Sequence, residues 1–206
     1  AKFFSEARVN RWEDKAHFAP MFDLEALATL PVSESSAISN VIDITEKMKA
    51  DGTLTWDAPA GNWTIFRIGY SLTGSKNSPA VPAGVGYEVD KLSKKHLASY
   101  YKGYTNPIAQ ALGPLYGKRM QYWLTDSFEA DAQNWTEELP AEFLKRRGYD
   151  MTPYLPVLSG RIVKNAEVSD RFLWDFRRTI ADLLAENHYK ALGDMARAEG
   201  IKLYGE

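Results

Sequence analysis

The chain has 206 residues, of which 45% are hydrophobic, and its formal net charge is −2. This length supports one sizeable core or one and a half domains, and the near-neutral charge argues against a nucleic-acid binder, which needs a basic face. The sequence has no cysteine, which excludes disulfides, thiolate catalysis and thiolate metal sites. No apolar stretch is long enough to span a bilayer, so we expect no membrane insertion.

The first third of the chain predicts β-structure. Residues 1 to about 35 have poor hydrophobic periodicity, whereas residues 38–73 combine short apolar runs with turn signals. Residues 63–70 alternate in a way that predicts a strand at least half buried. Residues 74–86 are rich in Gly, Pro, Ser and Asn and predict a long loop. We therefore assign residues 1–60 to a β-rich accessory or connecting segment.

From about residue 90 the pattern changes to alternating helices and strands. Helices are predicted over residues 92–104 and 140–147, with a strand over residues 118–125 between them. The strongest helix signal covers residues 169–199, which share one apolar face, with Ser169 as its candidate N-cap. Gly200 ends this helix and residues 201–204 continue as a strand. This rhythm is typical of a parallel sheet and predicts an α/β fold.

Carboxylates stand where the two predicted strands end. Asp126 and Glu129 follow the apolar run 120–124, which reads as a buried strand, and Glu206 follows residues 201–204. Barrel enzymes place their chemistry at the carboxyl ends of parallel strands. Apolar walls and a neighbouring carboxylate both raise a carboxyl pKa, which suits a general acid acting on a sugar bond. The alternatives are a solvated loop or helix cap for the first pair and a surface position for Glu206.

Further polar and aromatic residues accompany these carboxylates in the sequence. Asn134 and Trp135 follow them, and in an active-site loop an amide and an indole can contact the hydroxyls and the face of a sugar. The alternative is that Trp135 packs over the loop. The lysines of the 91–95 segment, by contrast, read as the solvated face of a helix, and the histidines lack zinc-like spacing. These residues are Lys91, Lys94 and Lys95, and His17, His96 and His188.

Several motifs, taken in one order, resemble glycoside hydrolase family 106. Its members are α-L-rhamnosidases, mostly bacterial, and the resemblance extends from about residue 40 to the end. The motifs are GTLTWDAPAGNW at 52–63, RIGYSLTG at 67–74, GYEVDKLS at 86–93, TDSFE at 125–129, QNWT at 133–136 and FLWDFRR at 172–178.

The resemblance implies an inverting hydrolase with a (β/α)₈ TIM-type barrel, two catalytic carboxylates and a calcium ion near the bound sugar. We therefore expect residues 61–206 to form the first strands of a partial (β/α)₈ barrel, preceded by the β-rich segment. By the same resemblance we assign catalytic roles to Glu129 and Glu206, without deciding which is acid and which is base. Substrate contacts are assigned to Asp126, Asn134 and Trp135, and no metal ligand is assigned. The alternative for Glu129 or Glu206 is that it holds sugar hydroxyls or metal, because calcium favours carboxylate oxygens.

The chain holds too few strands for a complete barrel and begins without Met, so we expect an internal fragment of a periplasmic or secreted bacterial enzyme. Its expected partners are the remainder of its own barrel and a rhamnose-containing carbohydrate. We expect the isolated fragment to be inactive, because an open sheet edge and an uncovered core face are costly. Two alternatives stay open. One is a non-catalytic carbohydrate-binding module, and the other is a different barrel glycosidase, such as a β-galactosidase-like enzyme.

Overall fold

The structure, a computed structural model, describes residues 35–128, 130 and 132–205. The chain divides into two compact units that are each discontinuous in sequence. Unit 1 contains Tyr70–Tyr149 and Asp175–Glu206, and unit 2 contains Phe3–Gly69 and Asp150–Trp174. The predicted division into residues 1–60 and 61–206 stays a prediction.

The regular elements lie mainly in the second half of the chain. Short 3₁₀ turns occur at Ile38–Asn40, Thr45–Lys47, Pro82–Gly84, Gly113–Leu115 and Thr152–Ser159. The longer elements are, in order, α1 (Lys94–Leu112), β1 (Tyr122–Thr125), α2 (Leu139–Arg147), α3 (Ala166–Leu183), a π-helical turn (Leu184–Lys190), α4 (Ala191–Ala198) and β2 (Lys202–Gly205). Over the described residues, no helix is both long and apolar enough to cross a bilayer.

Strands β1 and β2 form a small parallel sheet, which confirms the predicted α/β pattern. Their register pairs Tyr122 with Lys202 and Thr125 with Gly205. One face of this sheet packs on the core of unit 1, where Trp123 and Leu203 contact a buried cluster contributed by α1 and α4. That cluster consists of Leu97, Tyr101, Ala191 and Leu192.

The opposite face of the sheet is open in the described part of the chain. Tyr122, Leu124 and Tyr204 are 54%, 65% and 63% exposed. The expectation that residues 120–124 form a buried strand is therefore wrong for these side chains. The reason is geometric, since successive side chains of a strand point to opposite faces and the described helices α1 and α4 cover only one of them.

Two helix ends follow the local signals of the sequence. Helix α2 carries a proline in its first turn and ends at Gly148, whose φ of 82° places it in the left-handed region. Helix α4 ends at Gly200, with φ of 74°. There the backbone N–H of Gly200 donates to the carbonyl of Arg197, and that of Ile201 donates to Ala196. These paired bonds form a Schellman motif, which explains why the chain can turn directly into β2.

The long helix predicted over residues 169–199 differs from the structure at its start and middle. Helix α3 begins at Ala166, and the side chain of Asn165 accepts a hydrogen bond from the backbone N–H of Val168 at 2.8 Å. Asn165 is therefore the N-cap, and Ser169 is not. The Ser169 hydroxyl is buried and bonds instead to the backbone N–H and carbonyl of Val163, at 3.0 and 3.1 Å. A π-helical turn then separates α3 from α4.

The strands predicted within residues 38–73 do not form among the described residues. Met48 and Leu54 make one isolated antiparallel bridge, and residues 63–70 are exposed and belong to no ladder. An extended segment becomes a strand only when a neighbour supplies its hydrogen bonds, and no described segment pairs with residues 63–70. The first part of the predicted β-rich segment, residues 1–34, lies outside the described residues.

Candidate active site

The carboxyl ends of β1 and β2 lie side by side. Thr125 pairs with Gly205, so chain positions 126 and 206 directly follow a matched pair of strand ends. A Cβ added at Gly205 would lie 3.3 Å from Cγ2 of Thr125, so the absence of a side chain permits this close approach. The predicted parallel sheet is confirmed for these two strands, and the structure adds that they are direct neighbours.

The predicted site carboxylates differ in what the structure describes. Asp126 is exposed, and its Oδ1 accepts a hydrogen bond from the backbone N–H of Ser127 at 2.9 Å. Glu129 and Glu206, the predicted catalytic pair, lie outside the described residues. Their catalytic roles and the separation of their carboxyl groups therefore stay predictions.

The segment that follows these carboxylates is attached to the chain just before α1. The Gln133 side chain accepts a hydrogen bond from the backbone N–H of Lys91 at 2.9 Å and donates one to the carbonyl of Val89 at 3.0 Å. The Thr136 hydroxyl donates to Oδ2 of Asp90 at 2.8 Å, so both ends of residues 133–136 are held. Sequence reasoning did not single out Gln133 or Asp90, although both lie in motifs that carry the family resemblance.

Asn134 and Trp135 lie within this fixed segment. The Trp135 indole is partly exposed and stacks on Tyr70, with ring centroids 5.9 Å apart and planes inclined by 25°. Trp135 thus packs on a neighbouring aromatic ring, and its assigned role as a substrate contact stays a prediction. Oδ1 of Asn134 is buried and accepts no hydrogen bond within the described part of the chain. Its assigned role as a substrate contact stays a prediction.

A half-buried ion pair lies beside the loop that follows β1. The Lys91 ammonium contacts the Glu88 carboxylate, and their side chains are only 11% and 20% exposed. The same ammonium lies 5.6 Å from the ring centroid of Phe128. The prediction that Lys91 lies on a solvated helix face is wrong, because α1 begins only at Lys94. Lys94 and Lys95 are exposed, as predicted.

A further titratable group of this region is His188, which lies in the π-helical turn. No sequence pattern indicated a functional role for it. Its side chain is buried, and Nδ1 has no hydrogen-bond partner among the described residues. Burial, and secondarily the positive charge of Lys91, lower the pKa of His188 to about 4, while Glu88 opposes this shift. The imidazole is therefore neutral at physiological pH.

The described residues offer no ready-made calcium site. No group of three or more His, Asp or Glu side chains converges within residues 35–128, 130 and 132–205. Asp90, a carboxylate near the loop, already accepts hydrogen bonds from the Leu92 backbone and the Thr136 hydroxyl. The expected calcium ion stays a prediction, and no chemical step is derived from it.

Comparison with known proteins places this geometry in a family. The family model described as alpha-L-rhamnosidase, Glyco_hydro_106, matches residues 1–206. A solved structure, a rhamnosidase from Novosphingobium sp. PP1Y, is similar with a TM-score of 0.75 and 47% identity. The match covers 80% of this chain and 16% of that chain.

A curated relative from Formosa agariphila carries a different activity in its name. It is 44% identical over 162 residues and bears the name "Putative beta-glucuronidase". The match covers 79% of this chain and 14% of the relative, so the chain spans about one seventh of that protein's length. The match along its whole length shows that the chain belongs to glycoside hydrolase family 106, the α-L-rhamnosidase family.

Proposed function

We propose that the full-length protein carrying this chain is an inverting α-L-rhamnosidase that releases terminal L-rhamnose from a plant or microbial polysaccharide or glycoside. The proposal is supported by the pairing of Thr125 with Gly205, which brings the carboxyl ends of β1 and β2 together at one edge of the sheet, and each of these ends is followed in sequence by an acidic residue. Family membership supplies the chemistry expected at that edge.

The proposed reaction breaks one glycosidic bond and consumes one water. One carboxylic acid protonates the leaving oxygen, while the other carboxylate takes a proton from water as the water attacks the anomeric carbon from the opposite face. Glu129 and Glu206 are the proposed pair, with Asp126, Asn134 and Trp135 proposed to contact the sugar. Inversion requires the two carboxyl groups to stand roughly 6.5–9.5 Å apart, against about 5–5.5 Å for retention.

The proposed fold around this chemistry is a (β/α)₈ barrel, of which β1 and β2 are two neighbouring strands. Their parallel pairing, the helices packed on one face and the apolar residues on the other support it. The remaining strands would come from the rest of the protein. Calcium, and a periplasmic or secreted location, belong to the same proposal and rest on the family resemblance.

A second candidate activity is β-glucuronide hydrolysis, because the Formosa relative bears that name. A uronic acid adds a carboxylate to the sugar, and such a substrate is best recognised by an available cation. Among the described residues, Lys91 lies beside the loop after β1 and is already paired with Glu88, so it is not an available cation for a uronic acid.

A comparison of aryl glycosides tests both candidates. The full-length protein is assayed on an aryl α-L-rhamnoside and an aryl β-D-glucuronide, with and without a calcium chelator. We expect turnover of the rhamnoside, and the first product anomer seen by NMR should be inverted. Turnover of the glucuronide alone would transfer the proposal to the second candidate, and binding without turnover of either would favour the carbohydrate-binding module.

Site variants then test the assigned carboxylates. Glu129→Gln should lower turnover of the rhamnoside by roughly 10²–10⁴-fold, the usual contribution of general acid–base catalysis. Glu137→Gln is the matched control, since Glu137 is an exposed carboxylate in the same stretch of chain. Equal activity of the two variants would remove Glu129 from the chemistry.

A further inference from the structure

Three segments of unit 1 meet beside the loop that follows β1. The ion pair of Glu88 and Lys91 comes from the segment before α1, Phe128 comes from the loop itself, and His188 comes from the π-helical turn. Lys91 connects all three, because it pairs with Glu88, lies 5.6 Å from the Phe128 ring and influences the charge of His188. Phe128 directly precedes Glu129 in sequence.

The backbone of the same segment is also fixed to the far end of the loop. Gln133 bonds to Lys91 and Val89, and Thr136 bonds to Asp90. The Asn187 side chain donates to the carbonyl of Leu92 at 2.7 Å, which ties the π-helical turn to the start of α1. A π-helical turn inside a helix is a common mark of a functional site. Lys91 therefore contacts the loop at two points, at Phe128 through its side chain and at Gln133 through its backbone.

Titratable groups from three elements surround the Glu88–Lys91 ion pair. The segment before α1 supplies Glu88, α1 supplies Tyr100, whose pKa is raised by burial and by the charge of Glu88, and the π-helical turn supplies neutral His188. The loop after β1 supplies the Phe128 ring, and its carboxylate Asp126 is exposed. A half-buried ion pair interacts with nearby charges more strongly than a solvated one, because water screens it less.

We propose that Lys91, anchored by Glu88, is a positioning residue that holds the loop after β1 and sets the electrostatic environment of its carboxylates. The inference deepens the proposed function and rests on it. Lys91 acts through the loop and is not assigned contact with the sugar. Removing its charge leaves Glu88 as an unopposed negative charge beside the loop, and removing the Glu88 charge leaves an unopposed positive one. The two changes should therefore shift the pKa of the loop carboxylates in opposite directions.

The test is the pH dependence of kcat/KM for the full-length protein on an aryl α-L-rhamnoside. The acidic limb of this profile reports the carboxylate that must be ionised in the free enzyme. Lys91→Met should move that limb to higher pH by about half a unit or more, and Glu88→Gln should move it to lower pH. The double variant should return close to wild type. Lys94→Met is the matched control, since Lys94 is exposed in the same stretch, and it should leave the limb unchanged.

Each outcome decides the inference. Opposite shifts for the two single variants support it, as does a near-normal profile for Lys91→Arg, which keeps the charge. Coincident profiles for Lys91→Met, Lys94→Met and wild type would overturn it. If Lys91→Met does not fold, Glu88→Gln decides alone, and an unchanged or raised limb refutes the proposal. Absence of turnover by wild type is a different result, which would count against the proposed function.

Discussion

Acidification should loosen the helical segment that carries His188. The His188 side chain is 6% exposed, and its pKa is lowered from 6.5 to about 4 by burial first and by Lys91 second. The unfolded segment therefore binds a proton that the folded one does not between these two pH values. The contribution of neutral His188 to the free energy of unfolding is fully present above about pH 6.5, declines as the pH falls, and is lost below about pH 4. At about 1.4 kcal/mol per pKa unit the full loss is about 3.5 kcal/mol, or between two and three orders of magnitude in the opening equilibrium.

Hydrogen–deuterium exchange of peptides covering residues 184–198 measures this opening in the full-length protein. Protection, corrected for the intrinsic pH dependence of exchange, should fall by roughly 100-fold between pH 7 and pH 4. His188→Phe preserves a ring edge-on to Tyr189, where the wild-type centroids lie 4.8 Å apart, and removes the titration. The variant should keep a much flatter profile. Parallel profiles for wild type and His188→Phe would refute the assignment of the acid effect to this imidazole.

Three further predictions, with five substitutions in all, test separate parts of the structure. Gly200→Ala should destabilise unit 1 by about 1 kcal/mol, because Gly200 has a positive φ that a side chain disfavours. Gly103→Ala, inside α1 at an ordinary φ, should instead stabilise it by about 0.5–1 kcal/mol. Chemical denaturation measures both free energies of unfolding, and equal effects would contradict the role given to Gly200 at the helix end. Tyr70→Ala should raise the KM of the full-length protein about 2–10-fold with kcat retained, because it removes the ring that stacks on Trp135. Tyr70→Phe keeps this stack and should leave KM close to wild type. A fall in kcat alone would exclude a role of the Tyr70–Trp135 stack in substrate binding. Gln133→Leu should lower the free energy of unfolding by about 2 kcal/mol, since it removes the hydrogen bonds to Lys91 and Val89. If hydrogen exchange in the loop is as slow in this variant as in wild type, these two bonds do not hold the loop.

The parts of the fold that sequence could predict are those set by nearby residues. Helices α1 and α2, the ends at Gly148 and Gly200 and the β1 and β2 strands all carry local signals within a few residues. Residues 63–70 also carry a strand signal, but strand formation depends on a partner elsewhere in the chain, and the described residues supply none. Periodicity cannot identify that partner.

The site shows the same limit for single side chains. Lys91 was grouped with Lys94 and Lys95 by spacing, but α1 starts after Ser93, so Lys91 does not share their helical face. Its burial depends on contacts with Glu88 and on Phe128, which lies 37 positions later in the sequence. The backbone tie from Gln133 spans 42 positions. Such contacts are set by tertiary packing, which pattern reasoning does not reach.

A substitution on the open face of the β1–β2 sheet tests whether this face is a solvated surface or the interior of the proposed barrel. In a (β/α)₈ barrel the inward side chains of neighbouring strands stack in layers while the outward ones contact the helices. Trp123 and Leu203 already contact the core formed with α1 and α4, which leaves Leu124, 65% exposed in this chain, to point inward.

If that face is solvated in the full-length protein, Leu124→Lys should change stability by no more than about 0.5 kcal/mol. If it lines the barrel interior, a buried unpaired ammonium should cost several kcal/mol. Leu144→Lys, at a leucine of α2 that is 51% exposed, is the control for adding an ammonium at an exposed leucine away from this sheet face. We expect Leu124→Lys to lower the unfolding temperature strongly and the control to leave it nearly unchanged. Equal, small effects would mean that β1 and β2 are not neighbours in a closed barrel.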